Sequence, residues 1–69
     1  MPDLPERMLA LRKEKKLTQE EAAKQSGIVL RTYCRYEKGE RAPTVPMLWK
    51  LADFYDVSID YLVGRTDTK

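Results

Sequence analysis

The chain has 69 residues and a formal net charge of +2, with 42% hydrophobic and 35% charged residues. A single domain of this length buries roughly 60% of its unfolded surface, so its small core excludes a large substrate cavity. No apolar run approaches membrane-spanning length, and residues 1–16 lack the apolar centre of a signal peptide. We therefore expect one soluble, cytoplasmic domain over residues 1–69, with a core at about 5–64 and a frayed tail at 65–69.

The reactive side chains are too few for most enzyme chemistry. Cys34 is the single cysteine, and the chain has no histidine. One thiol builds neither an internal disulfide nor a zinc site, and Ser-His-Asp or Cys-His catalysis needs an imidazole. The carboxylates are mostly interleaved with Lys or Arg, and no glycine loop suited to phosphate binding is present. We expect no enzyme activity, no cofactor, no metal and no small-molecule substrate.

The first helix is predicted over about residues 5–15. Pro5 suits a first helical turn, and the nearby carboxylate of Asp3 favours the positive end of the helix dipole. Three apolar residues recur at helical spacing and give this helix a face to bury: Leu4, Met8 and Leu11.

Two short helices and a tight turn follow in the segment TQEEAAKQSGIVLRTYCRYE, residues 18–37. The first of the two begins at Thr18, whose hydroxyl pairs with Glu21 in a capping box. The small Ala23 lies where the two helices must touch, and Gly27 tolerates the positive φ of the turn. Such a turn leaves the next helix supported from behind and projecting outward. Proteins offer a helix to the DNA major groove with this geometry.

The third helix is predicted over about residues 30–37. Tyr33 and Tyr36 lie three residues apart and therefore share one face, which we expect to point inward. Arg31 and Arg35 then lie on the outward side. The excess of positive charge lies with the first three helices, although such charges are also typical of an ordinary solvated face.

A fourth helix is predicted from the Thr44 cap to about Tyr55, and a fifth over about residues 59–63 with Ser58 as its cap. The buried stripe of the fourth helix comprises Leu48, Leu51, Ala52 and Tyr55. Trp49 lies beside this stripe, so both a place in the core and a place in a dimer surface remain open. Together these elements predict an all-α fold, a compact five-helix bundle that contains a helix-turn-helix.

An ordered set of residues runs through these helices: Arg12, LTQEE at 17–21, Ala23, Gly27, RYEKGERAP at 35–43, Leu48, LA at 51–52, VSID at 57–60 and LVG at 62–64. With this spacing, the chain resembles the helix-turn-helix family of phage repressors and xenobiotic-response-element-type regulators of bacteria, over about residues 6–64. Members of that family are five-helix bundles that bind operator DNA, usually as homodimers. The resemblance implies a sequence-specific, repressor-like transcriptional regulator that binds an inverted repeat in double-stranded DNA as a homodimer. The helix at about 30–37 would enter the major groove.

Two positions depart from the family pattern. Val29 stands where a Ser or Thr often caps the recognition helix, so the start of this helix depends on tertiary packing. Leu30 stands where a polar residue often reads a base. An apolar side chain at that position would suit a thymine methyl group instead.

Eight residues are candidates for contact with DNA, some from the resemblance and others from their place on or after the third helix: Thr18, Gln19, Leu30, Arg31, Thr32, Arg35, Lys38 and Arg41. Gln19 opens the second helix and is implied to contact a backbone phosphate. Arg31 is the candidate for a bidentate contact with guanine, with a phosphate contact or a solvated charge as the alternative. Arg12 and Glu37 are implied to form a buried ion pair, the alternative being two unpaired surface charges.

A protein-interaction module on the same fold, such as an antitoxin that neutralises a partner, is the second hypothesis. The outward face of the third helix distinguishes the two hypotheses. Arg31 and Arg35 favour DNA, whereas an acidic or wholly apolar face would favour a protein partner.

Overall fold

The computed structural model describes residues 3–69, which form five helices and no strand. The helices are α1 (Asp3–Glu14), α2 (Gln19–Ser26), α3 (Leu30–Lys38), α4 (Val45–Tyr55) and α5 (Ile59–Leu62). The predicted all-α architecture is therefore confirmed. α1 begins two residues earlier than predicted, and Pro5 still lies in its first turn, where a missing N–H costs no helical hydrogen bond. Within residues 3–69, none of the helices combines the length and the apolar character that crossing a membrane requires.

One hydrophobic core joins the helices. α1 packs against α3 and α5, α2 packs against α3 and α4, and α4 packs against α5. The buried apolar side chains include the predicted inward residues of α1, α3 and α4: Leu4, Met8, Leu11, Tyr33, Tyr36, Leu48, Leu51, Ala52 and Tyr55. Fully burying a side chain such as Leu or Met stabilises the fold by roughly 1.5–3 kcal/mol. Because α3 contributes only its tyrosine face to this core, its opposite face is left at the surface.

Local interactions define both ends of α2. The Thr18 hydroxyl accepts from the Glu21 N–H at 3.1 Å, and the Glu21 carboxylate accepts from the Thr18 N–H at 2.9 Å, as the capping box predicts. The bond from the Thr18 backbone lowers the pKa of the Glu21 carboxyl. Gly27 has φ 78° and ends α2 in the left-handed conformation, which glycine adopts without a steric cost. Ile28 is buried directly after it, so the chain enters α3 anchored in the core.

A buried pair of tyrosines fixes the position of α3 relative to α4. The hydroxyls of Tyr33 and Tyr55 are hydrogen-bonded to each other. Burial raises the pKa of both hydroxyls, so both stay protonated at neutral pH, and one donates while the other accepts. Val29 lies at the cap position of α3 and makes no side-chain cap hydrogen bond, so the start of α3 depends on the packing of the helix against the core.

Residues 65–69, which the sequence predicts to be frayed, have specific partners on α1 and α5. The guanidinium of Arg7 donates to the carbonyls of Tyr61 and Thr66 at 2.6 and 2.7 Å and to the Asp67 carboxylate at 2.8 Å. It also lies over the Tyr61 ring, 4.2 Å from the ring centre. Lys69 contacts the Glu14 carboxylate at 3.2 Å. The tail therefore lies back along α1.

Candidate nucleic-acid interface

A bidentate ion pair ties the end of α1 to the end of α3. The Nε and Nη2 atoms of Arg12 donate to the two carboxylate oxygens of Glu37 at 2.8 and 3.1 Å. The third donor, Nη1, reaches the carbonyl of Leu17 at 2.8 Å. The Glu37 side chain is only 4% exposed and that of Arg12 15%, so the pair is largely shielded from water. The hydrogen bonds to Glu37 raise the pKa of the Arg12 guanidinium. Arg12 thus connects three parts of the fold: α1, on which it lies, α3 through Glu37, and the loop that precedes α2 through Leu17.

Gln19, the first residue of α2, is attached to this ion pair. Its Nε2 donates to a carboxylate oxygen of Glu37 at 3.2 Å. Its Oε1 accepts from the thiol of Cys34 at 3.4 Å. The side chain that the resemblance assigns to a phosphate is therefore half-buried and held by α3.

The N-terminus of α2 adds backbone donors next to that amide. Helix geometry leaves the N–H groups of Gln19 and Glu20 without an acceptor inside the helix. The N–H of Glu21, by contrast, already bonds to the Thr18 hydroxyl. Thr18 itself is exposed. These donors and the positive end of the helix dipole suit a phosphate, although the exposed Glu20 carboxylate weakens the local positive potential.

The outward face of α3 carries the side chains predicted to read bases. Arg31 and Arg35 are exposed and lie one helical turn apart, so they share a face opposite Tyr33. Within residues 3–69 neither guanidinium is paired with a carboxylate. Leu30 is 39% exposed at the start of the same helix. Thr32 is half-buried at the flank, and so offers only part of its surface.

Lys38 and Arg41 lie at the opposite end of α3 from Leu30. Both are exposed. Arg41 follows Gly39, which ends the helix with φ 75°, and it borders a small hollow of about 50 Å³ beside Leu4 and Pro5 of α1. The eight predicted contact residues therefore lie at the start of α2, along α3 and in the loop that follows α3.

Among residues 3–69, four large apolar side chains that were not predicted as DNA contacts are exposed, namely Leu9, Val29, Val45 and Trp49, and Leu9 is the least exposed of them at 36%. Val29 is 72% exposed immediately before α3, next to Leu30, and the sequence reveals it only as a missing cap. Trp49 and Val45, one turn apart on α4, are 60% and 58% exposed, so most of the Trp49 surface lies outside the core. Lys50 beside them donates to the Gly27 carbonyl at 3.3 Å and so supports the turn before α3.

The start of α2 and the outward face of α3 together form an exposed polar surface. Among residues 3–69, no group of His, Cys, Asp or Glu side chains is arranged to hold a metal ion. The surface combines the exposed guanidiniums of Arg31 and Arg35, the backbone N–H groups at the start of α2, and the apolar side chains of Val29 and Leu30 at the start of α3.

The chain is similar in sequence to known bacterial and phage regulators. The helix-turn-helix family model matches residues 8–62. The uncharacterised regulator YobD of Bacillus subtilis is 44% identical over 62 residues, which cover 90% of this chain and 55% of YobD. The repressor RstR of the cryptic phage CTXphi in Vibrio cholerae is 43% identical over 65 residues, which cover 94% of this chain and 58% of RstR. This chain thus spans little more than half the length of these two relatives.

A solved structure shares the fold over nearly the whole of both chains. The P22 c2 repressor protein, crystallised in complex with the synthetic operator 9T, aligns with a TM-score of 0.80 and 30% sequence identity. The alignment covers 86% of this chain and 89% of the repressor chain. The family match over most of the sequence and this structural likeness agree with each other, and the chain belongs to the helix-turn-helix family that includes the phage repressors.

Proposed function

We propose that this chain is a sequence-specific double-stranded DNA-binding domain that acts in transcriptional regulation, most simply as a repressor. The observation that carries the proposal is the outward face of α3, where Leu30, Arg31 and Arg35 are exposed on a helix held from behind. The bidentate pair of Arg12 and Glu37 holds one end of that helix. The likeness to a repressor that was crystallised with operator DNA supports the same reading.

The chemistry of each side chain indicates which part of the DNA it contacts. Arg31 pairs with the N7 and O6 atoms of a guanine, and Arg35, one turn on, contacts a base or a phosphate. Leu30 contacts a thymine methyl group. The remaining residues contact the sugar-phosphate backbone of the DNA and so set the position of α3 along the duplex: Thr18, Gln19, Thr32, Lys38 and Arg41.

The short length of α3 favours a homodimer that binds an inverted repeat. α3 has nine residues and spans only about 13 Å, so one copy reads few base pairs. Two copies with half-site centres about one helical turn apart double the site. Val45 and Trp49 offer exposed apolar surface to a second copy. We place this non-enzymatic activity in the cytoplasm, where the chromosome of a bacterium lies.

Selection from random duplexes tests the proposal. We expect a defined, inverted-repeat site to be enriched. If two copies contact six to eight phosphates in total, affinity should fall by roughly 10³- to 10⁴-fold between 50 and 200 mM salt. A chain that enriches no sequence and whose binding ignores salt would contradict DNA recognition, and would favour the protein-interaction alternative.

A further inference from the structure

The side-chain amide of Gln19 is held at both ends by one helix. Its oxygen accepts from the Cys34 thiol at 3.4 Å, and its nitrogen donates to Glu37 at 3.2 Å. Residues 34 and 37 are three apart on α3 and so lie on the same side of that helix, facing the start of α2. The same Glu37 oxygen also accepts from Arg12 at 3.1 Å.

These two contacts permit only one orientation of the amide. Turning it over would bring its oxygen against the Glu37 carboxylate, which is acceptor-only, and its NH₂ group against the thiol. In the observed orientation, the amide nitrogen has two N–H donors and Glu37 takes one. The second N–H is left for another acceptor, beside the free backbone N–H groups at the start of α2.

We propose that Cys34 is a positioning residue for DNA binding, because its thiol fixes the Gln19 amide with the second N–H directed to a backbone phosphate. The inference rests on the proposed function. A glutamine side chain that is ordered before binding loses less rotamer entropy in the complex. Both side chains are half-buried, so the contact is partly shielded from water. A weak thiol hydrogen bond is stronger in such a setting than in open solvent.

A double-mutant cycle on DNA affinity tests this role. We expect Cys34→Ala to weaken binding to the selected site and to a random duplex by the same two- to fivefold, because a phosphate contact carries no sequence information. Cys34→Ser keeps a donor and should restore most of the affinity. In a Gln19→Ala background, Cys34→Ala should change nothing further.

The nuclear magnetic resonance signals of the Gln19 side-chain NH₂ group in the DNA-free protein give a second readout. We expect them to shift in Cys34→Ala and to stay near their original positions in Cys34→Ser. A loss of affinity that persists in the Gln19→Ala background, or unshifted NH₂ signals in Cys34→Ala, would overturn the positioning role. Absence of salt-dependent DNA binding by the wild-type chain would instead overturn the proposed function. Wild-type binding that Gln19→Ala weakens and Cys34→Ala leaves unchanged would overturn only this inference.

Discussion

Replacing Glu37 with Gln is expected to lower the free energy of unfolding by about 3–5 kcal/mol. The substitution preserves the shape of the side chain but removes its charge, and Arg12 is left as a cation whose side chain is only 15% exposed. A stranded charge costs more than an intact pair contributes, because the desolvation of the remaining ion is no longer offset. Three donors lose a charged acceptor: Arg12 Nε, Arg12 Nη2 and Gln19 Nε2.

The expected loss is large relative to the total stability of so small a domain. A chain of this length has a free energy of unfolding of roughly 3–10 kcal/mol, so the Glu37→Gln variant should lose about a third or more of its stability and unfold at a clearly lower urea concentration. Urea unfolding followed by circular dichroism measures the change. Glu40→Gln is the matched control, since Glu40 is exposed and its replacement should stay within about 0.5 kcal/mol of wild type. A loss below about 1 kcal/mol for Glu37→Gln would show that the pair does not hold the helices together.

The second large effect is expected at Arg31. Replacing it with Ala should cost about 1–3 kcal/mol of binding free energy at the selected site, roughly a 5- to 150-fold loss of affinity, and should relax the preference at one base pair in each half-site. Arg31→Lys keeps the charge but loses the bidentate fork, so it should retain the non-specific affinity while still losing base preference. Repeating the duplex selection with each variant measures both quantities.

Arg65 provides the control for charge alone. It is exposed in the tail and follows α5, so Arg65→Ala removes one positive charge without touching α3. We expect this variant to select the wild-type site with an affinity close to that of wild type. If Arg31→Ala binds the same site with the same affinity as wild type, the assignment of base reading to Arg31 is wrong.

The helices and their ends could be predicted because they depend on neighbouring residues. The capping box of Thr18 and Glu21 requires only residues three apart, and the ends of α2 and α3 at Gly27 and Gly39 follow from glycine's tolerance of positive φ. The inward face of α3 follows from the spacing of its tyrosines. Rules that act within one helical turn therefore gave most of the fold.

Contacts between distant segments could not be predicted in this way. Arg7 bonds to residues 54 to 60 positions further along the chain, and nothing near Arg7 indicates that the tail returns to it. The contact between Gln19 and Cys34 depends on the distance between α2 and α3, which helical spacing alone does not give. The exposure of Trp49 likewise depends on the orientation of α4 about its own axis, which decides which of its side chains face the core. Such contacts require the packing of whole helices.

We infer that the outward face of α3 lies in the major groove of a duplex. Nuclear Overhauser contacts between the protein and its selected duplex test this placement. We expect contacts from the Leu30 methyl groups to thymine methyl or other major-groove protons, with Trp49 remote from the bases. Contacts to the DNA from the surface of α4 or α5, with none from α3, would contradict it.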